Sequence, residues 1–554
     1  MKEEMVEADV LCIGGGVAGL MGAIRASELG AKVVVAEKGN TLRSGSGATG
    51  NDHFMCYIPE VQEKELDRIL RSRYLSWRIR SRDFLNLWLE KSGEMAKLWD
   101  SWGIPMKYNG QYEFSGHAIP GEPLVLIHYA GQDQKIILTK KALSKGVKIL
   151  NRVAGFELLR DGSIVGALGI DTREDRLIIF RAKSIILGTG IAQRLYPGPT
   201  PGWLFNLAFA PTCTGDGQSL AFRIGAELIG AERVHRHRGP KYFARCGQAT
   251  WLGVYKDADS NPIGPWPTKI DRRYSPILTE LAPEVIEEYA KSGKGPVYLD
   301  SAGISDEDYE YMKHWLRNEG NAGILNYMDE EGIDTRKRPI EAMRYGPIGG
   351  GTIRINVKSE TSVNGLYAAG DNGYGIGEMP GAATHGWIAG ESAANYAKET
   401  ESPSMKRVEG TIEEKKRLLQ EIQTREAGAS WQEVNIAIQQ LMADYAGYAG
   451  GVGAGSVRSQ IMLMTGLTYL RRLKEKAYNT MVARNQHELM HCLEALNLLD
   501  LGELVFTATN ERKETRGPFI RSDYPFTDPA LNNKELILKK EDDKVVTRWE
   551  EIRR

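Results

Sequence analysis

The segment Cys12-Ile13-Gly14-Gly15-Gly16-Val17-Ala18-Gly19 closes an apolar strand and opens a helix, and Val33-Val34-Val35-Ala36-Glu37 follows as a second strand ending in an acid. This is the βαβ dinucleotide pattern with its parts in order. Gly14 makes the tight turn, Gly16 lets backbone approach a diphosphate, and Gly19 lets helix and strand pack closely. Val17 and Ala18 enter the first helical turn, whose free N–H groups and positive dipole end suit phosphates. Glu37, eighteen residues after Gly19, is placed to accept from a ribose hydroxyl. A chain that opens this way starts with a parallel α/β layer and is expected to bind an adenine dinucleotide.

The 554 residues exceed one core, so about two to four domains are expected. Lys+Arg 71 against Asp+Glu 72 leaves a net charge of −1, which argues against a nucleic-acid partner. The apolar stretch from Val10 to Ile24 is broken by glycines and preceded by acidic residues, unlike a signal peptide. No run of about eighteen apolar residues suggests a membrane span, and a cytoplasmic location is the expectation. The cysteines (Cys12, Cys56, Cys213, Cys246 and Cys492) are scattered, without the spacing that holds zinc or an iron–sulfur cluster. The nine histidines show no zinc spacing either, so no metal site is expected.

Residues 1–240 alternate strand-like and helix-like segments, with a strand meander anticipated around Val147–Leu150 and Ile164–Leu168. Residues 241–345 are rich in Trp, Pro and Tyr and read as an inserted smaller domain. Glycine-rich α/β character returns over 346–402, so the nucleotide domain is discontinuous. Residues 403–515 have helical periodicity, with capping boxes at Thr411–Glu414 and Ser430–Glu433. Val434, Ala437, Ile438, Leu441 and Met442 form a core stripe, and one long helical stretch is expected from Ser459 to Leu498. Residues 516–554 read as an extended tail.

Several motifs resemble the fumarate reductase and succinate dehydrogenase flavoprotein superfamily. Arg43-Ser44-Gly45, soon after Glu37-Lys38, is similar to the loop that family wraps around its flavin. Gly188-Thr189-Gly190 resembles its Ala-Thr-Gly-Gly element, and Thr214-Gly215-Asp216-Gly217 its Thr-Gly-Asp-Gly helix start. Asn364 to Asp371 resembles the element whose acid holds the flavin ribitol. Lys513-Glu514-Thr515-Arg516-Gly517 with Arg521-Ser522-Asp523-Tyr524-Pro525 resembles its C-terminal signature.

The resemblance implies an α/β fold: a discontinuous Rossmann-like FAD-binding domain, an inserted α+β capping domain and a C-terminal helical domain. It selects FAD as the cofactor, held by Gly14, Gly16, Val17, Ala18, Gly19, Glu37, Lys38, Arg43, Ser44, Gly45, Gly50, Thr189, Gly190, Asp216, Gly370 and Asp371. Members that bind FAD covalently have a histidine where Gly45 stands, so attachment here is expected to be non-covalent. It also implies an oligomer that includes a separate, ferredoxin-like iron–sulfur protein.

For an anionic small-molecule substrate the basic set is Arg236, His237, Arg238, Arg245, Arg344 and His385, with His237 at the position of a substrate-binding histidine of the fumarate reductases. His53 and His117 read as structural. Gly381-Ala382-Ala383-Thr384-His385 lacks the arginine that clamps a C4-dicarboxylate in that family. Ala249–Lys256 with Asn261, and the Arg-Ser-Gly loop, resemble instead the adenylylsulfate reductase α-subunit branch. Three readings stay open: an adenylylsulfate reductase-like enzyme, a C=C reductase or dehydrogenase for a non-C4 carboxylate or acyl-CoA, and an electron-transfer subunit without its own substrate.

Overall fold

The structure, a computed structural model, describes all residues except 52, 63–65, 67–80, 117–122, 199–208, 234–237, 241–250, 264–267, 274–284, 287, 290–291, 345–348, 374, 448–456, 517–518 and 553–554. Its largest sheet has the strand order Lys148–Asn151, Val33–Glu37, Lys2–Ile13, Arg176–Leu187, Ser163–Asp171, Val153–Asp161, and Leu366–Ala368 also pairs with Arg176–Leu187. Val10 to Ile13 of the first strand are buried throughout, as expected of a central parallel strand covered on both faces. Lys148–Asn151 runs parallel to Val33–Glu37 and belongs to the nucleotide layer, so the meander comprises only the three strands between Val153 and Leu187. The twelve-residue strand Arg176–Leu187 lies along the first strand over its whole length and joins meander to nucleotide layer.

The crossover helix Val17–Glu28 packs against a long clasp helix, Glu378–Glu399, at backbone distance. A Cβ added at Gly390 would lie 2.3 Å from Gly22 O, and one at Gly386 would lie 2.5 Å from Ala18 O. Only small residues allow this crossing, and it fixes the clasp helix beneath the dinucleotide loop.

The inserted domain has its own four-stranded sheet, in the order Arg238–Pro240, Ile340–Arg344, Tyr298–Asp300, Val254–Lys256, and a separate core around Trp251, Tyr255, Leu299 and Trp315. Its first strand begins at Arg238, a few residues ahead of the boundary at 241 anticipated from composition.

In the helical domain, Ser430 and Glu433 form the expected capping box: the Ser430 hydroxyl accepts from Glu433 N–H at 3.2 Å and the Glu433 carboxylate accepts from Ser430 N–H at 2.7 Å. Ser430→Ala should cost about 1 kcal/mol in urea unfolding, with the fold kept. Thr411 caps nothing, because a 3₁₀ turn at Lys406–Val408 feeds directly into the helix Glu409–Thr424. Val434, Ile438 and Met442 are buried as expected; Asn435 and Gln439 are buried beside them because their amides donate to the carbonyls of Arg194 and Tyr196.

The anticipated single stretch from Ser459 is two helices, Gln460–Thr480 and Gln486–Glu511, the second capped by the Asn485 side chain. That second helix is buried on nearly every side, with Glu494, Asn497 and Asp500 buried among its apolar residues, and it forms the axis of the domain. Within the tail, Lys534–Glu541 and Lys544–Glu551 form a hairpin that adds to Leu228–Ile229. No helix among the described residues is long and apolar enough to cross a membrane.

Candidate flavin site

Gly14 adopts φ 96° and its N–H donates to Ala36 O at 2.8 Å, ending the first strand in a turn that passes against Gly188. A Cβ at Gly14 would lie 2.6 Å from Gly188 O, and one at Gly19 only 1.9 Å from Gly14 O. Gly16 differs: its Cβ would meet nothing nearer than Gly188 O at 3.4 Å, so the space above it is open. That is the opening a diphosphate needs. Glu37 is buried and braces the turn, with one oxygen accepting from Gly15 N–H and the other from Gly39 N–H, both at 2.7 Å. Each oxygen keeps a further lone pair for a ribose hydroxyl.

The next loop is tied down by Arg43 and Ser44 N–H donating to Asn40 O at 2.9 and 2.8 Å. It brings Gly45 beside Gly16, where an added Cβ would lie 3.9 Å from Gly16 Cα. The hydroxyls of Thr41 and Ser44 are buried without a hydrogen-bond partner. Unpaired buried hydroxyls are costly, and these two stand where a phosphate or ribitol would satisfy them, so the residues present fit FAD. The Arg43 side chain points to solvent. At the far end of the loop, a Cβ on Gly50 would collide with Asn318 O at 2.4 Å, marking where the inserted domain closes on it.

Thr189 and Gly190 are pinned by Asn372. Its Oδ1 accepts from the Thr189 N–H, and its Nδ2 donates to Gly190 O at 3.0 Å and Gln218 Oε1 at 2.8 Å. Gly217 N–H donates to Thr189 Oγ1 at 2.9 Å. Three segments far apart in sequence thus form one wall. Asn372 was legible only as the neighbour of Gly370-Asp371; Gln218, one residue past the Thr214–Gly217 motif, carried no signal of its own. Burial, together with the neighbouring Glu378 carboxylate, pushes the Asp371 carboxyl up to about 6. Glu378 opens the clasp helix at φ 65°, an unfavourable backbone state for a residue with a Cβ.

The side chains of Lys38 and Asp216 turn to each other rather than to the cradle. Lys38 Nζ donates to Asp216 at 2.7 Å, Glu494 at 2.5 Å and Thr214 Oγ1 at 3.0 Å, using all three of its protons. Arg194 and His491 complete the cluster on Glu494. The site residues Lys38 and Asp216 therefore lock the nucleotide domain onto the central helix of the helical domain, a role their local motifs did not reveal.

Of the substrate candidates, Arg236, His237 and Arg245, like His117, lie outside the described residues. Arg238 and Arg344 are directly opposite one another in the antiparallel pair of the inserted sheet. His53 is opposite His128 in a short two-stranded sheet. His385 is completely buried on the clasp helix. The Ser359 hydroxyl proton goes to His385 O at 3.2 Å, so the ring's Nδ1–H is assigned as donor to Ser359 Oγ at 3.0 Å, and the partnerless Nε2 holds the lone pair. Burial pushes the imidazole down to about 4, so it is neutral at physiological pH. Phe84 lies edge-on to the ring, and a Cβ on Gly375 would lie 2.8 Å from Nε2. This packing suits a residue that positions Gly375 better than one that touches substrate.

Taken together these loops define a dinucleotide-binding flavoprotein. Residues 9–237 match the family described as FAD binding domain, and residues 437–553 match the one described as fumarate reductase flavoprotein C-term. The chain belongs to the fumarate reductase and succinate dehydrogenase flavoprotein superfamily and is an FAD-dependent oxidoreductase. It is 24% identical over 582 residues to one subunit of the fumarate reductase (CoM/CoB) of Methanothermobacter marburgensis, covering 98% of each chain. Its fold is similar to that of adenylylsulfate reductase from Archaeoglobus fulgidus (TM-score 0.84, 23% identity, 100% of this chain and 96% of that one). It is also similar to E. coli quinol fumarate reductase (TM-score 0.80, 18% identity, 100% of this chain and 97% of that one).

Proposed function

We propose that this chain is the catalytic flavoprotein subunit of a cytoplasmic two-electron oxidoreductase that acts on an anionic substrate. The carrying observation is the pairing of Arg238 with Arg344 in the inserted sheet, while the dicarboxylate clamp position holds Thr384, buried with its hydroxyl unpartnered. An anion site without that clamp favours substrates other than C4-dicarboxylates. The adenylylsulfate reductase-like reaction, AMP and sulfite against adenylylsulfate, is the reading that the Arg-Ser-Gly loop and the Ala249–Lys256 segment support. A C=C reductase or dehydrogenase is the second reading, supported by the full-length likeness to the CoM/CoB fumarate reductase.

FAD, bound non-covalently because Gly45 offers no side chain to bond it, supplies the two-electron oxidation or reduction. The amides from Gly16 to Gly19 and the Ser44 hydroxyl would bind its diphosphate, Glu37 its ribose and Asp371 its ribitol. Arg238 and Arg344, with Arg236 and His237 before them in sequence, bind and orient the anion. Basic groups held there stabilise charge that develops on the substrate. The scattered cysteines leave the electrons to be passed to a separate iron–sulfur partner, with which the chain forms an oligomer.

The test is the visible spectrum of anaerobically purified protein titrated with sulfite, with and without AMP. Sulfite alone bleaches many flavins, so the AMP-dependent part is read. Reduction of the flavin only when AMP and sulfite are both present is the expected result. Identical spectra with and without AMP remove the adenylylsulfate reading, and reoxidation of reduced protein by unsaturated acids then tests the second.

A further inference from the structure

The helix Gln134–Ser144 sends its first two side chains, both buried, into the cofactor loops. Gln134 Nε2 donates to Gly47 O at 2.8 Å, while Tyr129 O–H donates to Gln134 Oε1 at 2.7 Å. Lys135, 1% exposed, donates from Nζ to the carbonyl of Gly15. The other side of the same residue is held by Glu37, which accepts the Gly15 N–H at 2.7 Å. Gly15 is thus gripped at both of its backbone polar groups by side chains of opposite charge.

The geometry points to Lys135 as a positioning residue for the FAD diphosphate. The Gly15 carbonyl and the Gly16 N–H belong to one peptide unit, and in a trans peptide they point in opposite directions. An ammonium on the carbonyl therefore turns the Gly16 N–H outward, into the open space above Gly16. It also polarises the peptide so that this N–H donates more strongly. Lys135 adds one buried positive charge behind a loop that receives an anion.

Burial brings the Lys135 ammonium down to about 8, opposed chiefly by the Glu37 carboxylate; Cys213 is the other titratable group that faces it. The Cys213 thiol is itself pushed up to about 11 by burial and is neutral near that pH. Without the diphosphate, then, Lys135 loses its proton as pH rises through about 8. A bound diphosphate favours the charged form, so binding takes up a proton and affinity falls above that pH.

The experiment uses flavin-free protein and measures dissociation constants for FAD, ADP and adenosine by fluorescence quenching and calorimetry. In the unaltered protein, FAD and ADP should weaken between about pH 7 and about pH 9.5, approaching tenfold per pH unit above the lysine's own pKa, with adenosine unaffected. Lys135→Met should weaken FAD and ADP by about 10–100-fold at neutral pH, leave adenosine unchanged, and flatten the pH profile. Equal weakening of adenosine would mean that Lys135 only shapes the loop. Unchanged FAD affinity in the variant would likewise overturn the assignment. If the variant does not fold, the pH profile of the unaltered protein decides alone: a flat profile for ADP overturns the inference. None of these outcomes depends on which substrate the enzyme uses.

Discussion

Gly19→Ala is expected to purify without flavin. The new Cβ would lie 1.9 Å from Gly14 O, and the obstacle is backbone that cannot rotate away. Relief requires the Gly14 turn to move, which breaks its 2.8 Å bond to Ala36 O and its packing on Gly188. Overpacking of this kind costs about 1–3 kcal/mol of stability, so the chain still folds. The cradle suffers more than the fold, because hydrogen bonds weaken steeply once donors leave the ~2.7–3.2 Å range. Losing two charge-assisted bonds to the diphosphate corresponds to at least about 100-fold in affinity. The control is Gly410→Ala, whose Cβ meets nothing within 4 Å on the helix Glu409–Thr424. It should keep its flavin and gain up to about 1 kcal/mol. The ratio of flavin to protein absorbance after purification, followed by FAD titration of the stripped protein, reads the difference. A full complement of flavin in Gly19→Ala, bound at unaltered affinity, would show that Gly14–Gly19 is not the cradle.

Glu494→Gln should be strongly destabilising although it leaves side-chain volume intact. Glu494 is buried and its carboxylate meets Lys38, Arg194 and His491. Removing its charge takes a carboxylate from the buried Arg194 and leaves Lys38 with Asp216 and Thr214. Breaking a buried ion pair from one side costs about 3–5 kcal/mol, because the remaining charge stays desolvated. Urea unfolding followed by tryptophan fluorescence at neutral pH should show a loss of this size.

The pH dependence gives an independent reading. Burial alone would raise the Glu494 carboxyl, but the Arg194 and Lys38 charges outweigh it and hold it well below the usual carboxylate range. A depressed acid stabilises the fold above its unfolded pKa, near about 4.3, and that contribution disappears as pH falls toward the folded value. The unaltered protein should therefore lose stability below about pH 4 more steeply than Glu494→Gln. Equal stability of the two proteins at neutral pH would mean that the cluster does not lock the two domains together.

The glycine cradle, Glu37 and the capping box at Ser430 were legible because each is local: a turn, a strand end or a helix start needs only residues a few positions apart. Helical periodicity exposed the core faces of Val434, Ile438 and Met442 for the same reason. Periodicity said nothing of Asn435 and Gln439, whose partners are carbonyls at Arg194 and Tyr196, more than 240 positions away. His385 shows the opposite limit. Its residue type and place in the family motif suggested substrate contact, yet the structure seals it beneath Phe84 and Gly375.

The sequence by itself determined that this chain opens with a dinucleotide fold, that its nucleotide domain is interrupted, and that a helical domain follows it. Those properties follow from glycine placement and hydrophobic period, which act over one or two turns of chain. Only the tertiary structure decided which charges meet. Lys38 finds Glu494 across 456 residues, Asn372 joins Thr189 to Gln218, and Lys135 reaches back 120 residues to Gly15. The ionic and hydrogen-bonded contacts depend on proximity in space and on removal from water, and both are set by how the layers stack rather than by any local run of residues.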